Sequence, residues 1–386
     1  MIRVLRAFTF HMPSLSVGLT FMTLSILFGS WLARLPEVQA GLMLSEGQLG
    51  LALLGLPLGA LTVMPLAGWL IEKLSTGKAM TIATLLFCAV LPIPAFATSQ
   101  LTLMASLYVV GLANSFMNVS MNAAAAAVES QYRVTIMSAC HGMFSLGAMI
   151  GAGSAGLIAA ADIPLRAHLI VLALLMVVLQ LVLRPITSTL PHSSAGGSSF
   201  ALPPRSVWGL ALIGFCIMIG EGAVADWSAI YLRNVLLSDP FVASLGFAGF
   251  SLSMALGRFA GDGIRQYLGA PRTVFAGSLL GAAGLSIATL LPHPATAVLG
   301  FTIVGLGFST VVPLLFSAAA KMPGVTPGAG IAAVASAGVI GFLIGPPLIG
   351  FIGEHFGLGA GLGFVAVLAL AAAGIARRSL VNQQLI

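Results

Sequence analysis

The sequence contains very little charge. Only 7% of its 386 residues are Asp, Glu, Lys or Arg, and 59% are hydrophobic, whereas an ordinary soluble domain has about 25% charged residues. A water-soluble surface cannot be built from so few charges, so most of the outer surface has to face lipid. The sixteen Lys and Arg residues are scattered along the chain, which argues against a nucleic-acid partner.

Cysteines and the sequence signatures of catalysis are also scarce. Cys88, Cys140 and Cys216 lie singly in apolar runs, and this spacing excludes a disulfide framework. The chain has no Gly-rich loop followed by Lys-Ser/Thr, no zinc-type Cys/His cluster and no nucleophile elbow. We therefore predict that the protein is not an enzyme, is not driven by ATP and needs neither a cofactor nor a metal.

Long apolar runs are what the sequence does have. A helix needs about 20 apolar residues to cross the hydrocarbon core of a membrane, and charges, prolines and glycines divide the chain into twelve runs of that length. The predicted spans are 8–34, 47–71, 78–98, 101–128, 134–160, 165–184, 206–232, 241–264, 272–291, 294–320, 328–353 and 357–376. The predicted fold class is therefore an all-α polytopic membrane protein with twelve transmembrane helices.

The basic residues indicate which side of the membrane each connection faces. With a cytoplasmic N-terminus, thirteen Lys and Arg residues fall on the inner side, and only Arg34, Arg166 and Arg233 fall outside. Cytoplasmic connections are enriched in Lys and Arg. We therefore predict a bacterial inner (plasma) membrane protein with both termini in the cytoplasm.

The chain also repeats itself. The Ser/Gly/Pro-rich stretch 185–205 separates the sixth and seventh spans and is typical of a linker. The triplet Trp31-Leu-Ala33 recurs as Trp227-Ser-Ala229, and Gly147, Ile150 and Gly151 recur as Gly341, Ile344 and Gly345. These features predict two pseudo-symmetric six-helix bundles, 1–184 and 206–386, which is an arrangement used by secondary transporters.

Six strings in both halves carry a family resemblance: SWLARLP at 30–36, MNAAAAAVE at 121–129, MSACHGMFSLGAMIGA at 137–152, EGAVADWSAIYL at 221–232, GRFAGD at 257–262 and PLIGFI at 347–352. They resemble the fucose-permease-like, YbjJ-type branch of the major facilitator superfamily. The resemblance covers nearly the whole chain, and it implies the major facilitator fold and secondary transport of a solute.

The stretch GWLIEKLSTGK at 68–78 resembles the superfamily signature between the second and third helices. Gly68, Glu72 and Lys73 take its glycine, acidic and basic positions, and Lys78 takes a later basic position, displaced by one or two residues. The resemblance implies that these four residues form a conformational latch on the cytoplasmic side, through charge pairs and helix-end dipoles, and do not bind the solute.

Acidic residues inside the predicted spans are functional candidates, because a charge at mid-membrane costs roughly 2.5–3.5 kcal/mol on insertion scales. Removal from water favours the neutral form of a carboxyl, so Glu221 is the leading proton-coupling candidate, with a structural acid as the alternative. Asp226 is the second candidate; its alternatives are pairing with a neighbouring helix and a position beside a gate. Glu129 and Arg133 have the i,i+4 spacing of a plain ion pair.

Polar and aromatic residues predict where the solute binds. Asn114, Asn118 and Asn122 line one face of the fourth span, and Ser138, His141 and Ser145 share a face of the fifth. The predicted solute-binding residues, near mid-membrane between the two halves, are Asn118, Asn122, His141, Trp227 and Ser309. Hydrogen bonding between helices is the alternative for the Asn and His residues, and anchoring at the water boundary is the alternative for Trp31 and Trp227.

The function predicted from these features is secondary active transport of a small polar solute, with proton-coupled symport by a monomer embedded in the lipid bilayer. One alternative is a drug or metabolite efflux antiporter of the same fold, which a wide, aromatic and apolar cavity would favour. Another is a receptor or scaffold that transports nothing, against which the duplicated halves argue. The identity of the solute, the coupling ion and the direction of transport stay open.

Overall fold

The structure is a computed structural model that describes residues 8, 11–192 and 205–382, and this part of the chain contains helices and no strands. Twelve of the helices are long and apolar enough to cross a membrane. They are α1 (Met12–Ala33), α2 (Glu46–Leu74), α3 (Thr76–Phe96), α4 (Gln100–Tyr132), α5 (Met137–Ala160), α6 (Leu165–Thr187), α7 (Trp208–Val235), α8 (Pro240–Gly261), α9 (Ala270–Leu290), α10 (Pro294–Ala319), α11 (Pro327–Phe356) and α12 (Leu358–Arg378). A short helix, Leu35–Leu42, joins α1 to α2.

The predicted all-α fold with twelve spans is confirmed, and each observed span begins and ends within four residues of the predicted one. α4 runs beyond its predicted end and stops at Tyr132, because Arg133 adopts the left-handed conformation with φ 51°. α6 continues to Thr187, so it includes the first residues of the predicted linker 185–205. Residues 193–204 of that linker lie outside the described residues.

Two of the spans, α2 and α10, are each divided into two α-helices, and a proline follows each break. α2 consists of Glu46–Leu53 and Gly55–Leu74, with Pro57 in the next turn. α10 consists of Pro294–Phe308 and Val311–Ala319, with Pro313 in the next turn. Proline has no N–H to donate to the carbonyl four residues earlier and its ring crowds that carbonyl. The backbone at both places therefore departs from a regular helix.

The chain divides into two compact units. The first contains α1, α3 to α6, and α2 from Ala52 onward; the second contains α7 to α12 and the segment Met43–Leu51. Within the first unit, α1 packs on α5, α2 on α4, and α3 on both α4 and α6. Within the second, α7 packs on α11, α8 on α10, and α9 on both α10 and α12. The pairs in the second unit are thus those of the first, shifted by six helices, in keeping with the repeat in the sequence.

Glycine allows the closest of these helix pairs to form. A Cβ atom added at Gly147 of α5 would lie 2.7 Å from the Met22 carbonyl oxygen of α1. In the corresponding pair of the second unit, a Cβ atom added at Gly341 of α11 would lie 2.8 Å from the Phe215 carbonyl oxygen of α7. Small residues let membrane helices approach this closely. The repeated glycines therefore mark contacts between helices in both units.

Candidate functional site

The asparagines of α4 form one continuous polar face in the first unit. Asn122 Nδ2 donates hydrogen bonds to the backbone oxygen of Asn118 at 2.9 Å and to its Oδ1 at 3.2 Å. Asn118 is exposed, whereas Asn114 and Asn122 are half-buried. Because the hydrogen bonds between them use only part of their capacity, the two amides retain donor and acceptor sites that a polar solute could use.

His141 lies on α5 of the same unit. Its ring is half-buried and packs edge-on against Phe21 of α1, with ring centroids 5.3 Å apart and an interplanar angle of 74°. An imidazole can donate and accept hydrogen bonds at once, so the aromatic contact fixes a group that could bind a solute or relay a proton. Ser145, one turn further along α5, is buried.

Glu129 does not form the ion pair with Arg133 that the spacing predicted. Its Oε1 instead accepts hydrogen bonds from the backbone N–H groups of Ile136, at 2.6 Å, and Met137, at 2.8 Å. The left-handed turn at Arg133 reverses the chain, so that Glu129 reaches the start of α5. A carboxylate there satisfies N–H groups that have no partner in the helix and interacts favourably with its dipole. The predicted ion pair is therefore wrong, and the role of Glu129 seen here is to cap a helix.

A buried arginine, Arg34, follows the end of α1 and forms contacts that the sequence analysis did not predict. Arg34 is only 2% exposed and forms an ion pair with Glu37 through Nε and Nη2. Its Nη2 also donates to the Ile163 carbonyl oxygen at 2.8 Å, and its Nη1 lies 3.5 Å from Nδ1 of His168. The i,i+3 spacing of Arg34 and Glu37 was the signal available in the sequence. The network ties α1 to the connection between α5 and α6.

The second unit carries the two acidic candidates. Glu221 and Asp226 lie on α7 and are half-buried, and neither accepts a hydrogen bond within the described ranges. Arg258 lies on α8, which packs on α7. The predicted topology treats Arg258 as an inner-side charge, although its position inside the predicted span 241–264 also makes it a candidate partner for an acid. The arrangement combines two acids with a basic residue inside the helical region.

Trp227 and Trp31 are fully enclosed by protein. Trp227 is 0% exposed, and Trp31 is 1% exposed. Complete burial rules out the alternative that these rings anchor the chain at the water boundary, where interfacial rings meet lipid headgroups. The indole Nε1 of Trp227 has no hydrogen-bond partner among the described residues. Its predicted contact with the solute stays a prediction.

Ser309 lies at the interruption of α10. It is buried, and its hydroxyl donates to the Leu306 carbonyl oxygen at 2.7 Å. A Cβ atom added at Gly257 of α8 would lie 2.7 Å from the Ser309 Cβ, so the two helices meet closely at this serine. Solute binding by Ser309 also stays a prediction.

The residues predicted to form the latch lie at the turn between α2 and α3. Glu72, Lys73 and Lys78 are exposed, and the Lys73 ammonium lies 4.9 Å from the centroid of the Trp69 ring. None of the three charged residues forms an ion pair with a residue that the structure describes. The latch role of these residues and of Gly68, which is half-buried, stays a prediction.

No group of three or more His, Cys, Asp or Glu side chains that could hold a metal ion occurs within residues 11–192 and 205–382. The chemistry that the described side chains offer is hydrogen bonding by amides and imidazole, and proton transfer by carboxyl groups.

Comparison with known proteins gives the family. The model of the Major Facilitator Superfamily matches residues 14–326. An uncharacterised MFS-type transporter of Yersinia pestis is 32% identical over 365 residues, which are 94% of this chain and 94% of that protein. The membrane protein MosC of Rhizobium meliloti is 31% identical over 353 residues, 91% of this chain and 86% of that protein.

Solved structures share the fold. The nucleoside transporter NupG matches with a TM-score of 0.72 and 14% identity, covering 96% of this chain and 99% of that one. A bacterial homologue of the human lysosomal transporter Spinster, inward-facing and occupied, matches with a TM-score of 0.74 and 16% identity, covering 96% and 97%. The family model, the two relatives and the twelve helices identify an integral membrane protein of the transporter kind, and the chain belongs to the major facilitator superfamily.

Proposed function

We propose that this protein is a secondary active transporter that moves a small polar solute together with protons by alternating access. The observation that carries the proposal is the pair of half-buried acids on α7, Glu221 and Asp226, which are not held by hydrogen bonds within the described ranges. Acids inside a membrane helix are characteristic of proton pathways. A carboxyl that is partly accessible and not locked in a hydrogen bond can take up and release a proton during the transport cycle.

The first unit supplies the support for a polar solute. Asn118 and Asn122 present amides on α4, and His141 presents an imidazole on α5. Groups that donate and accept hydrogen bonds suit a solute with hydroxyl, amide or amine groups better than an apolar drug. The strings quoted above support assignment to the fucose-permease-like, YbjJ-type branch. In this proposal the bundles are 1–184 and 206–386, and the transporter acts as a monomer.

The coupling test is Glu221→Gln. A thermal-shift screen of the purified protein against sugars, nucleosides and amino acids first identifies the solute, and uptake is then measured in proteoliposomes with an imposed pH gradient. The neutral amide imitates the protonated acid but releases no proton, so uphill accumulation should be lost while exchange of solute partly persists.

Asp162→Asn is the matched control for loss of a carboxylate. Asp162 is exposed in a turn with φ 57°, a conformation that Asn tolerates, so this variant should accumulate solute normally. If Glu221→Gln still concentrates solute against a gradient, Glu221 is not the proton carrier and Asp226 becomes the next residue to test.

The proposed orientation places both termini in the cytoplasm of a bacterial cell, with the protein in the inner membrane. Met43 is 89% exposed and His192 is exposed, which makes them good sites for single cysteines in a variant that lacks the three native ones. An impermeant maleimide should label Met43→Cys in whole cells and His192→Cys only after the membrane is opened. Labelling of His192→Cys in intact cells would reverse the orientation.

A further inference from the structure

A cavity of about 380 Å³ opens at one end of the first unit. It lies between the short helix Leu35–Leu42, the turn that ends α3 and the start of α6, and we call it the connector pocket. Its lining includes Glu37, Val38, Gly41, Pro94, Leu165 and Arg166. The volume is at the lower end of the range of about 300–1,000 Å³ that is usual for small-molecule sites. None of the predicted solute-binding residues lines it.

The acid of the connector pocket is already neutralised by the protein. Oε1 of Glu37 pairs with Nε of Arg34, and Oε2 accepts a hydrogen bond from Nη2 at 2.7 Å. Arg34 is held in turn by the Ile163 carbonyl oxygen at 2.8 Å. Because the Arg34 guanidinium is the counter-charge of this carboxylate, Glu37 contributes little net charge to the cavity.

Arg166 keeps its charge uncompensated. Its Nε donates to the Ala95 carbonyl oxygen at 3.0 Å, and its guanidinium lies over the Phe96 ring, 4.8 Å from the centroid. These two contacts hold the guanidinium in place without neutralising it. The terminal nitrogens bind none of the residues that the structure describes, and Asp162, one turn earlier, forms no ion pair with it. A fixed guanidinium fork with free N–H groups matches the geometry of a carboxylate or phosphate.

We propose that the connector pocket binds a compact oxyanion, a carboxylate or a phosphate monoester with a small apolar body. Arg166 binds the oxyanion, and the walls formed by Val38, Pro94 and Leu165 cover the apolar part. Gly41 leaves the space open, since a Cβ atom added there would have no neighbour within 4 Å. The headgroup of an anionic phospholipid also presents phosphate oxygens to an arginine, so the experiment has to separate a soluble source from a lipid source. This inference does not depend on the proposed transport reaction.

The soluble source is tested with fluorobenzoate and phenyl phosphate on the purified full-length protein, by fluorine and phosphorus NMR titration. Both should bind saturably to the wild type. Arg166→Gln removes the charge and Gly41→Leu fills the cavity, and each should weaken binding at least tenfold. Gly41→Leu leaves every charge in place, so it tests the pocket even if Arg166→Gln proves unstable.

Arg233→Gln is the matched control. Arg233 is an exposed arginine of the second unit, and its Nη1 also donates to a backbone carbonyl, that of Ser238 at 2.7 Å, but it does not line the connector pocket. This variant should bind both probes like the wild type. Equal binding by wild type, Arg166→Gln and Gly41→Leu in the NMR titrations, or no saturable binding at all, would exclude a soluble ligand.

The lipid source is tested by counting the phosphatidylglycerol molecules that the purified protein retains, using native mass spectrometry. Fewer retained molecules in both Arg166→Gln and Gly41→Leu than in Arg233→Gln would assign the pocket to a lipid headgroup. Unchanged lipid counts together with weakened probe binding would assign it to a soluble oxyanion. If neither lipid counts nor probe binding distinguish the pocket variants from the control, the connector pocket is not an anion site.

Discussion

The two units hold their charged side chains in different ways. In the first unit, Arg34 is buried but paired with Glu37, and Glu129 is bonded to the N–H groups that begin α5. In the second unit, Glu221 and Asp226 lie within α7 and accept no hydrogen bond from the described residues. The first unit thus uses charge near the ends of its helices to fix their connections, and the second keeps acids partway along a helix without fixing them.

This difference separates structural from functional charge. A charge that is held by a counter-charge or by hydrogen bonds favours the helix arrangement that makes those bonds, and removing one partner costs free energy. An acid without such bonds can change its protonation state at much lower structural cost. A charge inside the membrane costs free energy, so the charged residues that occur there usually have a function. The acids of α7 that accept no hydrogen bond are therefore the better candidates for coupling. The variants below test whether the two units really differ in this way.

The largest effect on stability is expected for Glu37→Gln, which leaves the buried Arg34 without its counter-charge. Breaking a buried ion pair by removal of one partner costs about 3–5 kcal/mol. The side chain of Glu37 is 44% exposed, so we expect a smaller loss, about 2 kcal/mol in the free energy of unfolding. Unfolding of the purified protein by denaturant, followed by Trp fluorescence, measures this loss.

Glu72→Gln is the control for that measurement, because Glu72 is exposed and forms no ion pair in the part of the chain that the structure describes. It should change stability by no more than about 0.5 kcal/mol. If both variants unfold at the same denaturant concentration as the wild type, the Arg34 pair is not structural and the contrast between the units fails.

A smaller effect, on binding, is expected at the polar face of the first unit. Asn118→Ala and His141→Ala each remove a hydrogen-bonding group that we propose contacts the solute, and each should weaken its affinity at least tenfold, or about 1.4 kcal/mol. Asn114→Ala, two turns before Asn122 on α4, should do less. Isothermal titration with the solute found in the screen measures the three affinities. If all three variants bind the solute as tightly as the wild type does, the asparagine face is a structural contact between helices.

Much of the fold was predictable, because the length of an apolar run is set by the thickness of the membrane and needs no knowledge of packing. The spans were therefore placed within four residues, and the repeated glycines marked close pairs such as α1 with α5. Bonds that depend on how the chain reverses direction were not predictable. Nothing in the i,i+4 spacing of Glu129 and Arg133 indicated that Arg133 would turn left-handed and bring Glu129 to the next helix.

Contacts between residues that are distant in the sequence were not predictable either. The contact of Arg34 with the Ile163 carbonyl oxygen joins residues on opposite sides of four intervening spans. The packing of α8, which carries Arg258, on α7, which carries Glu221, is likewise a property of the folded chain. Residue types identified Glu221, Asn118 and His141 as candidates. Only the packing of the helices shows which of the charged and polar groups are already bonded.

The smallest effect is expected for the cap of α5. Glu129→Ala removes the acceptor for the N–H groups of Ile136 and Met137, and loss of such a cap costs about 1 kcal/mol. Glu129→Gln keeps an oxygen that can accept these bonds and loses only the attraction of a negative charge to the helix dipole, about 0.3–1 kcal/mol, so it should be milder.

Arg133→Asn distinguishes capping of α5 by Glu129 from the ion pair that the spacing suggested. Asn tolerates the left-handed conformation at that position and carries no charge, so stability should not change if Glu129 acts as a cap. A loss in Arg133→Asn as large as that in Glu129→Ala, measured by the same denaturant unfolding, would restore the ion pair and contradict the cap.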